Sequence, residues 1–512
     1  MTQAANTGLA RRNPLASLPA QASSAALSAG VNVKDYRAVS DGITGDTTAI
    51  AKALASGRSV LFPAGTYLTA AQSISSAGRI LFGQGAASVI KAATAATSLF
   101  TVTADNVGFA DLRLNGVATS KANNTFASYT AATNPAKYLS LERVIFSGAD
   151  ATRGFNNAIK LDTGSNNAVI ANCTIDRLFG NISGTADGEL CGQAVGCKVV
   201  ANRMQASAGR GRHGVYLGAG RSDCLVQGNS ISGFDFEGIT QYASGAQPPC
   251  AGNIITGNSM TSCAPACNPS SGAIGVCGHS NRALISSNIV KCSGGKGIAI
   301  DGTGISDCAD TVTDGSTVAN SSLIGIDVIA GVRGSVSNNP IRQSSLASAG
   351  VLPNIRRVSD GVTARSGFFI SGNNSSGPVY SRSGFQLNAT VPVPFNLTLT
   401  GNPVEAYNLT TVELGGVPCA IDGRQRYLVA ITPPSLAKGT SYSLSGLRLP
   451  GAVPGDTLAL SYRGYSGDCN GCTMTVAITS AGNAQYVIAS LSTGTKTPTA
   501  GTLDIDVFKR TY

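Results

Sequence analysis

The sequence predicts an all-β protein made of a right-handed parallel β-helix followed by a C-terminal antiparallel β-sandwich. Three observations predict this fold: the composition, a repeated strand template in the middle of the chain, and a change of pattern near residue 379. Of the 512 residues, 62 are glycine and only 12% are charged, a composition that favours strands and turns over helices. Apolar residues make up 43%, which supports a packed core, and no stretch approaches the roughly 18 apolar residues of a membrane-spanning helix.

The repeat consists of an apolar residue, two small or polar residues, Asn, any residue, and a second apolar residue. Its asparagines recur at intervals of 30, 27, 29 and 30 positions and are Asn172, Asn202, Asn229, Asn258 and Asn288. Because one coil cannot bury its apolar residues alone, stacked coils must share a core, with parallel strands about 4.8 Å apart. The crossover rule favours right-handed winding. We expect each Asn to adopt a left-handed turn and to bond to the Asn above and below it.

Two segments near the start of the repeat region have a distinctive sequence, residues 33–50 and residues 61–67. They resemble the opening of the pectate-lyase-like β-helix found in bacteriophage tailspikes. The resemblance implies a capping helix and the first strands of the helix in this region. It also implies that Asp35, Asp41 and Asp46 are structural residues and not catalytic ones.

The pattern changes beyond residue 379. Alternating apolar residues, separated by Gly, Pro and Ser turns, predict the strands of an antiparallel sandwich at residues 396–400, 457–462, 473–478, 484–488 and 502–508. Small sandwiches of this kind resemble those that end phage tail proteins, which implies a role in holding a homotrimer together or in contacting glycan. The predicted organisation is a flexible leader or truncated virion-attachment segment over 1–30, a capped β-helix over 31–378 and a sandwich over 379–512.

The cysteines are read as buried core residues. Thirteen is an odd number, so at least one thiol is free. Several lie in apolar strand-like runs, where a small buried residue is expected, namely Cys173, Cys224, Cys277 and Cys292. Cys469 and Cys472 have metal-ligand spacing, but a structural zinc site needs four ligands, so no metal is predicted.

The net charge of +10 attracts anions, such as nucleic acid, an anionic membrane or an acidic polysaccharide. No dense run of Lys and Arg is interleaved with aromatic residues, so nucleic acid is not an expected partner. An acidic polysaccharide remains compatible with the charge.

Alternation along the first strand of successive coils predicts one exposed sheet face that carries carboxylates and tyrosines. The outward residues are Lys160, Asp162, Glu189, Tyr216, Tyr242, Asp301 and Asp327. Tyrosine stacks on sugar rings, and carboxylates bond hydroxyl groups or perform acid/base chemistry. The face therefore suits a glycan.

Two Asp-x-Glu pairs on this face are candidate catalytic carboxylates. In an extended strand, residues two apart face the same side, and their tips can approach the roughly 6.5 to 9.5 Å separation of inverting glycosidases. The candidate catalytic residues are Asp235 and Glu237, with Asp162, Asp187 and Glu189 as a competing cluster. They are expected to be solvent-facing.

A second pattern brings charged residues together from different coils. His213 and Glu237 each precede the Gly that opens a strand, so they are expected to be neighbours about 5 Å apart on adjacent coils. Lys296 holds the same template position two coils further on. The candidate substrate-binding residues are Arg210, Arg212, His213, Tyr216, Tyr242, Lys296 and Asp301.

Three functions fit these residues. A glycoside hydrolase needs a carboxylic acid and a carboxylate base and no cofactor. A lyase acting on a uronic acid needs a base such as Lys, His or Tyr and a cation, often calcium or arginine. The paired carboxylates favour hydrolysis, whereas the basic charge and the Arg210, Arg212 and His213 cluster favour the lyase; hydrolysis is preferred. A non-catalytic adhesin is the third candidate.

The tailspike resemblance adds a biological setting. It implies a homotrimer on the virion tail that acts on a bacterial surface polysaccharide, whether capsule, exopolysaccharide or O-antigen. A secreted bacterial protein is the alternative. Membrane insertion is not expected.

Overall fold

The structure of the chain is a computed structural model. It describes residues 30–94, 98–117, 125–126, 136–148, 155, 157–161, 164–176, 195–206, 213–245, 247–263, 272–291, 293–302, 308–329, 333–342, 344, 353–359, 368–376, 385–389, 397–400, 412–415, 420–421, 424–432, 434–449, 452, 454–463, 472–480, 483–491, 494–496 and 501–508. The predicted leader lies outside these ranges except for Gly30.

Most of the described chain is a parallel solenoid, as predicted. Sheet 1 has 15 strands: Val31–Asn32, Val60–Leu61, Ile80–Phe82, Gly108–Ala110, Ser140–Glu142, Val169–Ala171, Lys198–Val200, Leu225–Gln227, Ile254–Thr256, Leu284–Ser286, Val312–Asp314, Ser335–Ser337, Phe368–Ser371, Leu397–Thr400 and Ala420–Ile421. Sheet 2 has 13 strands: Asp41–Gly45, Gly65–Thr69, Ser88–Ala92, Arg113–Gly116, Ile145–Gly148, Thr174–Asp176, Arg203–Gln205, Ser230–Ser232, Ser259–Thr261, Ile289–Lys291, Thr317–Ala319, Pro340–Arg342 and Asn374–Ser376.

Three further sheets complete the parallel pairing. Sheet 3 has eight strands: Val215–Leu217, Ile239–Ala243, Gly272–Gly278, Lys296–Asp301, Ile326–Ile329, Ile355–Ser359, Phe385–Ala389 and Val412–Gly415. Sheet 4 has four strands: Gln72–Ile74, Phe100–Val102, Thr125–Phe126 and Asn157–Ile159. Sheet 5 pairs Cys250–Ala251 with Ser280–Asn281. Inward residues of the solenoid form one continuous apolar core.

The N-terminal end carries the predicted cap. Helices are few: 3-10 helices at Val33–Tyr36 and Gly85–Ala87, and α1 at Thr47–Ala55. Helix α1 buries Ala49, Ile50, Ala53 and Leu54, the spacing of a one-sided amphipathic helix. Among the described residues, no helix has the length and apolar content needed to cross a membrane.

The acidic residues of the cap make structural contacts. Asp46 is buried, and its Oδ1 accepts a hydrogen bond from the backbone N–H of Val39 at 2.6 Å. The Asp41 carboxylate accepts from the backbone N–H groups of Ile43 and Thr44, and these bonds lower the pKa of Asp41. Both carboxylates therefore hold turns, in agreement with the resemblance.

Each coil from residue 106 to residue 338 turns at two corners that bracket its strand of sheet 1. The corner residues have positive φ and lie five positions apart; they are Asn106 and Asp111, Tyr138 and Arg143, Asn167 and Asn172, Gly196 and Ala201, Asp223 and Gly228, Gly252 and Gly257, Arg282 and Ser287, Asp310 and Gly315, and Arg333 and Asn338. A residue with a left-handed backbone conformation turns the chain sharply within one position. Two such corners in each coil allow its strand of sheet 1 to be only three residues long.

The register of sheet 1 corrects the predicted asparagine alignment by one residue. Ile170 pairs with Val199, so Asn172 lies opposite Ala201 and Cys173 lies opposite Asn202. Asn172 is an exposed corner residue with φ 54°. The prediction that all five asparagines share one line is therefore wrong for Asn172, and the left-handed conformation belongs to the residue before each ladder Asn.

The other four asparagines form the predicted ladder and are fully buried. The backbone N–H and the Nδ2 of Asn202 both donate to Oδ1 of Asn229, at 2.9 and 3.0 Å. Asn229 bonds to Asn258 in the same way, and Asn258 to Asn288. Each Nδ2 also donates to a carbonyl of the preceding coil, so every polar atom of these amides is satisfied.

The C-terminal part has the predicted antiparallel fold. One sheet contains Arg424–Ile431, Thr457–Arg463 and Gly501–Phe508, and the other contains Ser441–Arg448, Cys472–Ser480 and Asn483–Ser490. Buried residues of both sheets, such as Ile488 and Ile505, belong to one core, which is separate from that of the solenoid.

The predicted boundary near residue 379 is too early. Leu397–Thr400, which was assigned to the sandwich, pairs in parallel with Phe368–Ser371, and parallel pairing continues to Ile421. Alternation of apolar residues indicates a strand with one buried face, and it does not distinguish a parallel partner from an antiparallel one.

The predicted burial of the cysteines holds for Cys173 and Cys224, whereas Cys277 is half-buried and Cys292 lies outside the described residues. Cys469 also lies outside them. Cys197 and Cys224 are side by side, because Lys198 pairs with Leu225 on the adjacent coil. The fully buried guanidinium of Arg221 donates to the Leu161 carbonyl at 2.9 Å and adds positive charge near these thiols.

A pH dependence of stability follows from this thiol pair. A hydrogen bond from Cys224, opposed by burial and aided by the charge of Arg221, lowers the pKa of Cys197 below its ordinary value. An unfolded cysteine has a pKa of about 8.5. Because the folded pKa is lowered, the thiolate contributes stability above the unfolded pKa, and this contribution is lost as the pH falls through the lowered folded pKa.

We therefore expect the stability difference between the wild type and Cys197→Ser to grow as the pH rises from about 6 to about 8.5, measured by urea unfolding. Cys173→Ser is the matched control, because burial raises the pKa of Cys173 to about 12 and its thiol stays protonated in this range. Parallel pH profiles for the wild type and Cys197→Ser would contradict the prediction.

Candidate functional site

Sheet 3 presents a polar outer face across successive coils. Its inward positions are apolar except for Gln241, with Ile274, Ile298 and Ile326 stacked in register. Strand alternation places the intervening residues outward. One outward column contains Tyr216, Thr240, Gly275, Ala299, Asp327 and Arg356, and the next contains Tyr242, Cys277, Asp301, Ile329 and Val358. We call the first set the central column.

His213 and Glu237 meet at the start of this face, as the template predicted. The backbone N–H of Gly214 donates to the Glu237 carbonyl, which stacks the two coils. Gly214 is required there because a Cβ would lie 2.5 Å from the Gly238 carbonyl oxygen. His213 Nε2 lies 2.9 Å from Glu237 Oε2, and the two side chains are only 4% and 7% exposed.

The Asp235 and Glu237 carboxylates are buried, contrary to prediction. Residues 235 and 236 lie in a bend between two strands, so the extended geometry assumed for the Asp-x-Glu pair is absent. Glu237 instead folds over the next coil: a Cβ on Gly275 would lie 3.2 Å from Glu237 Cγ. The carboxylate therefore occupies the sheet surface where the central column has no side chain.

Aromatic side chains surround the His213 ring. Its centroid is 5.2 Å from that of Tyr216 and 5.9 Å from that of Phe236. Tyr242, one strand position beyond the central column, is exposed. Tyr216 and Tyr242 thus offer the ring surfaces that a sugar can stack on, in agreement with their predicted outward placement.

A second polar cluster lies further along the central column. Lys296 Nζ is 2.6 Å from Asp327 Oδ2, and the Arg356 guanidinium makes two bonds to the same carboxylate, at 2.8 and 2.7 Å. Lys296 and Asp327 are buried. Lys296 therefore lies on the predicted face, but an ion pair engages it.

The two clusters share one electrostatic environment. Burial, followed by the charges of Glu237, Cys308 and Asp301, raises the pKa of Cys277 well above its ordinary value, and Lys296 opposes this rise. Cys277 is thus a neutral thiol within range of Glu237, Asp301 and Lys296. Lys296 and Arg356 both face the Asp327 carboxylate, and the His213 ring faces that of Glu237.

The competing cluster cannot be placed. Asp162, Asp187 and Glu189 lie outside the described residues, and so do Arg210 and Arg212. The structure brings together Glu237, His213 and Tyr216, buries Asp235 two residues before Glu237, and places Tyr242, Asp301 and Lys296 on the same sheet. Among the described residues, no group of three or more His, Cys, Asp and Glu is arranged to hold a metal ion.

Sequence reasoning missed Arg356. The strand Ile355–Ser359 was not predicted, although Ile355 follows Ile326 by one coil and pairs with it. Aligning these two isoleucines would have placed Arg356 directly beside Asp327.

Comparisons with known proteins agree with this architecture. A family model described as rhamnogalacturonase A/epimerase, pectate lyase-like, matches residues 30–246. No curated protein sequence matches the chain. Three solved structures share the fold at low sequence identity.

The first is the tailspike of Escherichia coli bacteriophage HK620, a variant in complex with a hexasaccharide, with a TM-score of 0.58 and 12% identity over 95% of this chain and 94% of the tailspike. The second is the Dettilon tailspike protein, with a TM-score of 0.55 and 14% identity over 94% and 95% of the two chains. The third is the A-module of the mannuronan C-5 epimerase AlgE4 of Azotobacter vinelandii, with a TM-score of 0.54 and 18% identity over 77% of this chain and the whole module.

The chain is thus a parallel β-helix protein with a C-terminal antiparallel part, and its residues 30–246 match a pectate-lyase-like family model. Phage tailspikes are among its structural neighbours, which confirms the resemblance seen in residues 33–50 and 61–67. At these identities the likeness establishes the fold.

Proposed function

We propose that the chain is a phage tailspike that binds and depolymerises a bacterial surface polysaccharide by glycosidic hydrolysis. The observation that carries the proposal is the buried Glu237–His213 pair beside Asp235 on a sheet face with outward tyrosines. A carboxyl group that is shielded from solvent and contacted by a second titratable group is suited to acid/base catalysis.

In the proposed mechanism, Glu237 donates a proton to the glycosidic oxygen as the bond to the sugar breaks. Asp235 accepts a proton from the water that adds to the sugar. His213 is the positioning residue, because its Nε2 contact at 2.9 Å fixes the orientation of the Glu237 carboxyl group. Tyr216, packed against His213, and Tyr242 provide stacking surfaces for sugar rings.

The charge arrangement favours hydrolysis over β-elimination. A uronate lyase needs a cation to neutralise the substrate carboxylate. On the described part of this face, Lys296 and Arg356 both contact the Asp327 carboxylate, and Asp301 is a second negative charge that acts on Arg356. Their charge is therefore already offset, and a largely neutral glycan fits the face better than a uronic acid at the reacting position.

The biological setting is part of the same proposal. Tailspikes share this fold over nearly the whole chain, and one of them was solved with a hexasaccharide. We propose a place on the virion tail and a homotrimeric assembly, and the likeness to tailspikes supports both. We predict that the reaction needs no metal ion. Calcium is a candidate cofactor only in the lyase alternative.

The test is a product assay on a panel of purified capsular polysaccharides, exopolysaccharides and O-antigens. We expect the wild type to release new reducing ends from one glycan without forming an ultraviolet-absorbing unsaturated sugar. Unsaturated product would establish the lyase instead. Binding without any chain shortening across the panel would contradict depolymerisation and support the adhesin.

A further inference from the structure

Three charged residues on successive coils form a network at the far end of the central column. Lys296 Nζ, Arg356 Nε and Arg356 Nη2 all contact the Asp327 carboxylate, at 2.6, 2.8 and 2.7 Å. The side chains of Lys296 and Asp327 are 2% and 0% exposed, whereas that of Arg356 is 26% exposed. Arg356 is thus the member of the network that reaches solvent.

The network fixes the direction of the Arg356 guanidinium. A fork with two parallel bonds to one carboxylate sets the plane of the group. Lys296 contacts the same oxygen of Asp327, Oδ2, so three contacts hold the carboxylate in place. The Nη1 group takes no part in the fork and makes no hydrogen bond to another described residue, so its donors are available to a ligand.

Burying these charges is not needed to build the sheet. Neighbouring positions of the central column are filled by small residues, Thr240, Gly275 and Ala299. Because desolvating charges opposes folding unless each is paired, a buried Lys296–Asp327 pair that also holds a half-buried arginine indicates a positioning role.

The central column connects this arginine with the proposed catalytic pair. Thr240, on the coil of Glu237, is followed in register by Gly275, Ala299, Asp327 and Arg356. Four coil steps of about 4.8 Å put Arg356 about 19 Å from that coil along the solenoid. Gly275 and Ala299, on this part of the column, are small residues. A glycan lying over it would extend over several sugar units.

We propose that Arg356 is a substrate-binding residue that donates hydrogen bonds to oxygen acceptors of a sugar several units away from the cleaved bond. Asp327 and Lys296 are its positioning residues. The ligand is an uncharged sugar, because Asp327 and the nearby Asp301 offset the charges of Lys296 and Arg356. The inference rests on the proposed function and adds a distal subsite to it.

The test uses the glycan that the wild type cleaves in the product assay and oligosaccharide fragments of it. We expect Arg356→Met to raise KM for long chains about tenfold with kcat within about twofold, since hydrogen bonds from a charged group contribute on this scale. For fragments too short to reach from Glu237 to Arg356, KM should be unchanged. A purely structural role would affect short and long substrates alike.

Two further variants keep the test decisive. Arg356→Lys retains the charge but lacks the fork, so it should show most of the KM increase. Arg342→Met, an exposed arginine of sheet 2, is the matched control and should leave KM unchanged.

An unchanged KM for long chains in Arg356→Met, or an equal rise for short and long ones, overturns the inference and leaves the proposed hydrolysis standing. A wild type that neither binds nor cleaves any glycan of the panel contradicts both.

Discussion

Glu237→Gln is expected to lower kcat by about 100-fold or more, the scale set by the loss of a general acid or base. Glutamine keeps the shape of the side chain and can still accept a hydrogen bond from His213, whose Nε2 lies 2.9 Å from the carboxylate. It cannot donate the proton to the glycosidic oxygen. The release of reducing ends under saturating substrate measures the effect.

The matched control for this variant is Glu142→Gln. Glu142 is a half-exposed carboxylate of sheet 1 that is paired with Arg143, away from the candidate site. Glu142→Gln should leave kcat unchanged.

Because Glu237 is buried, we expect Glu237→Gln to lose some stability, on the order of 1 to 3 kcal/mol, and thermal unfolding should confirm that the variant is folded. If Glu237→Gln and Asp235→Asn both remain fully active while Glu189→Gln is inactive, the catalytic site is the cluster of Asp162, Asp187 and Glu189.

Asn229→Ala is expected to lower the free energy of unfolding by about 3 to 5 kcal/mol. The substitution removes the Nδ2 bonds to the Val199 carbonyl and to Asn258 Oδ1, both 2.9 Å long. It also removes the acceptor for the backbone N–H and the Nδ2 of Asn202. Fully buried partners would be left without hydrogen bonds on two coils.

Asn172→Ala is the control for the ladder. Asn172 lies at an exposed corner with φ 54°, so its replacement should cost only about 1 kcal/mol, the penalty of a left-handed non-glycine residue. Urea unfolding of both variants measures the difference. Equal losses for the two substitutions would show that the ladder does not stabilise the solenoid.

The repeat could be predicted because the solenoid imposes the same physical demands on every coil. The sequence alone shows apolar residues at the inward positions. It also shows an amide at the same place of the template, in Asn202, Asn229, Asn258 and Asn288. The one-residue error at Asn172 arose because an Asn also suits a left-handed corner, and the two roles occupy adjacent positions.

The pairing of His213 with Glu237 was predictable for the same reason, since equal places in the template lie side by side. Their burial was not predictable. Whether a charged residue next to a strand faces solvent depends on whether its side chain folds over the sheet, and Glu237 does so because Gly275 on the next coil leaves room.

The end of the solenoid could not be read from the alternation of apolar residues, because the segments before and after Ile421 each bury one face of a strand. Arg356 was missed because its contact with Asp327 depends on the register of two strands 29 residues apart. Only the alignment of Ile326 with Ile355 reveals that contact.

The most direct test of the proposed site is the structure of Glu237→Gln bound to the longest oligosaccharide that the wild type releases. We expect sugar units along the central column of sheet 3, with a glycosidic oxygen within hydrogen-bond distance of the side chain at position 237 and another sugar at the Arg356 guanidinium. An oligosaccharide bound to another face of the solenoid, or to the C-terminal sheets, with none on sheet 3, would contradict the proposed site.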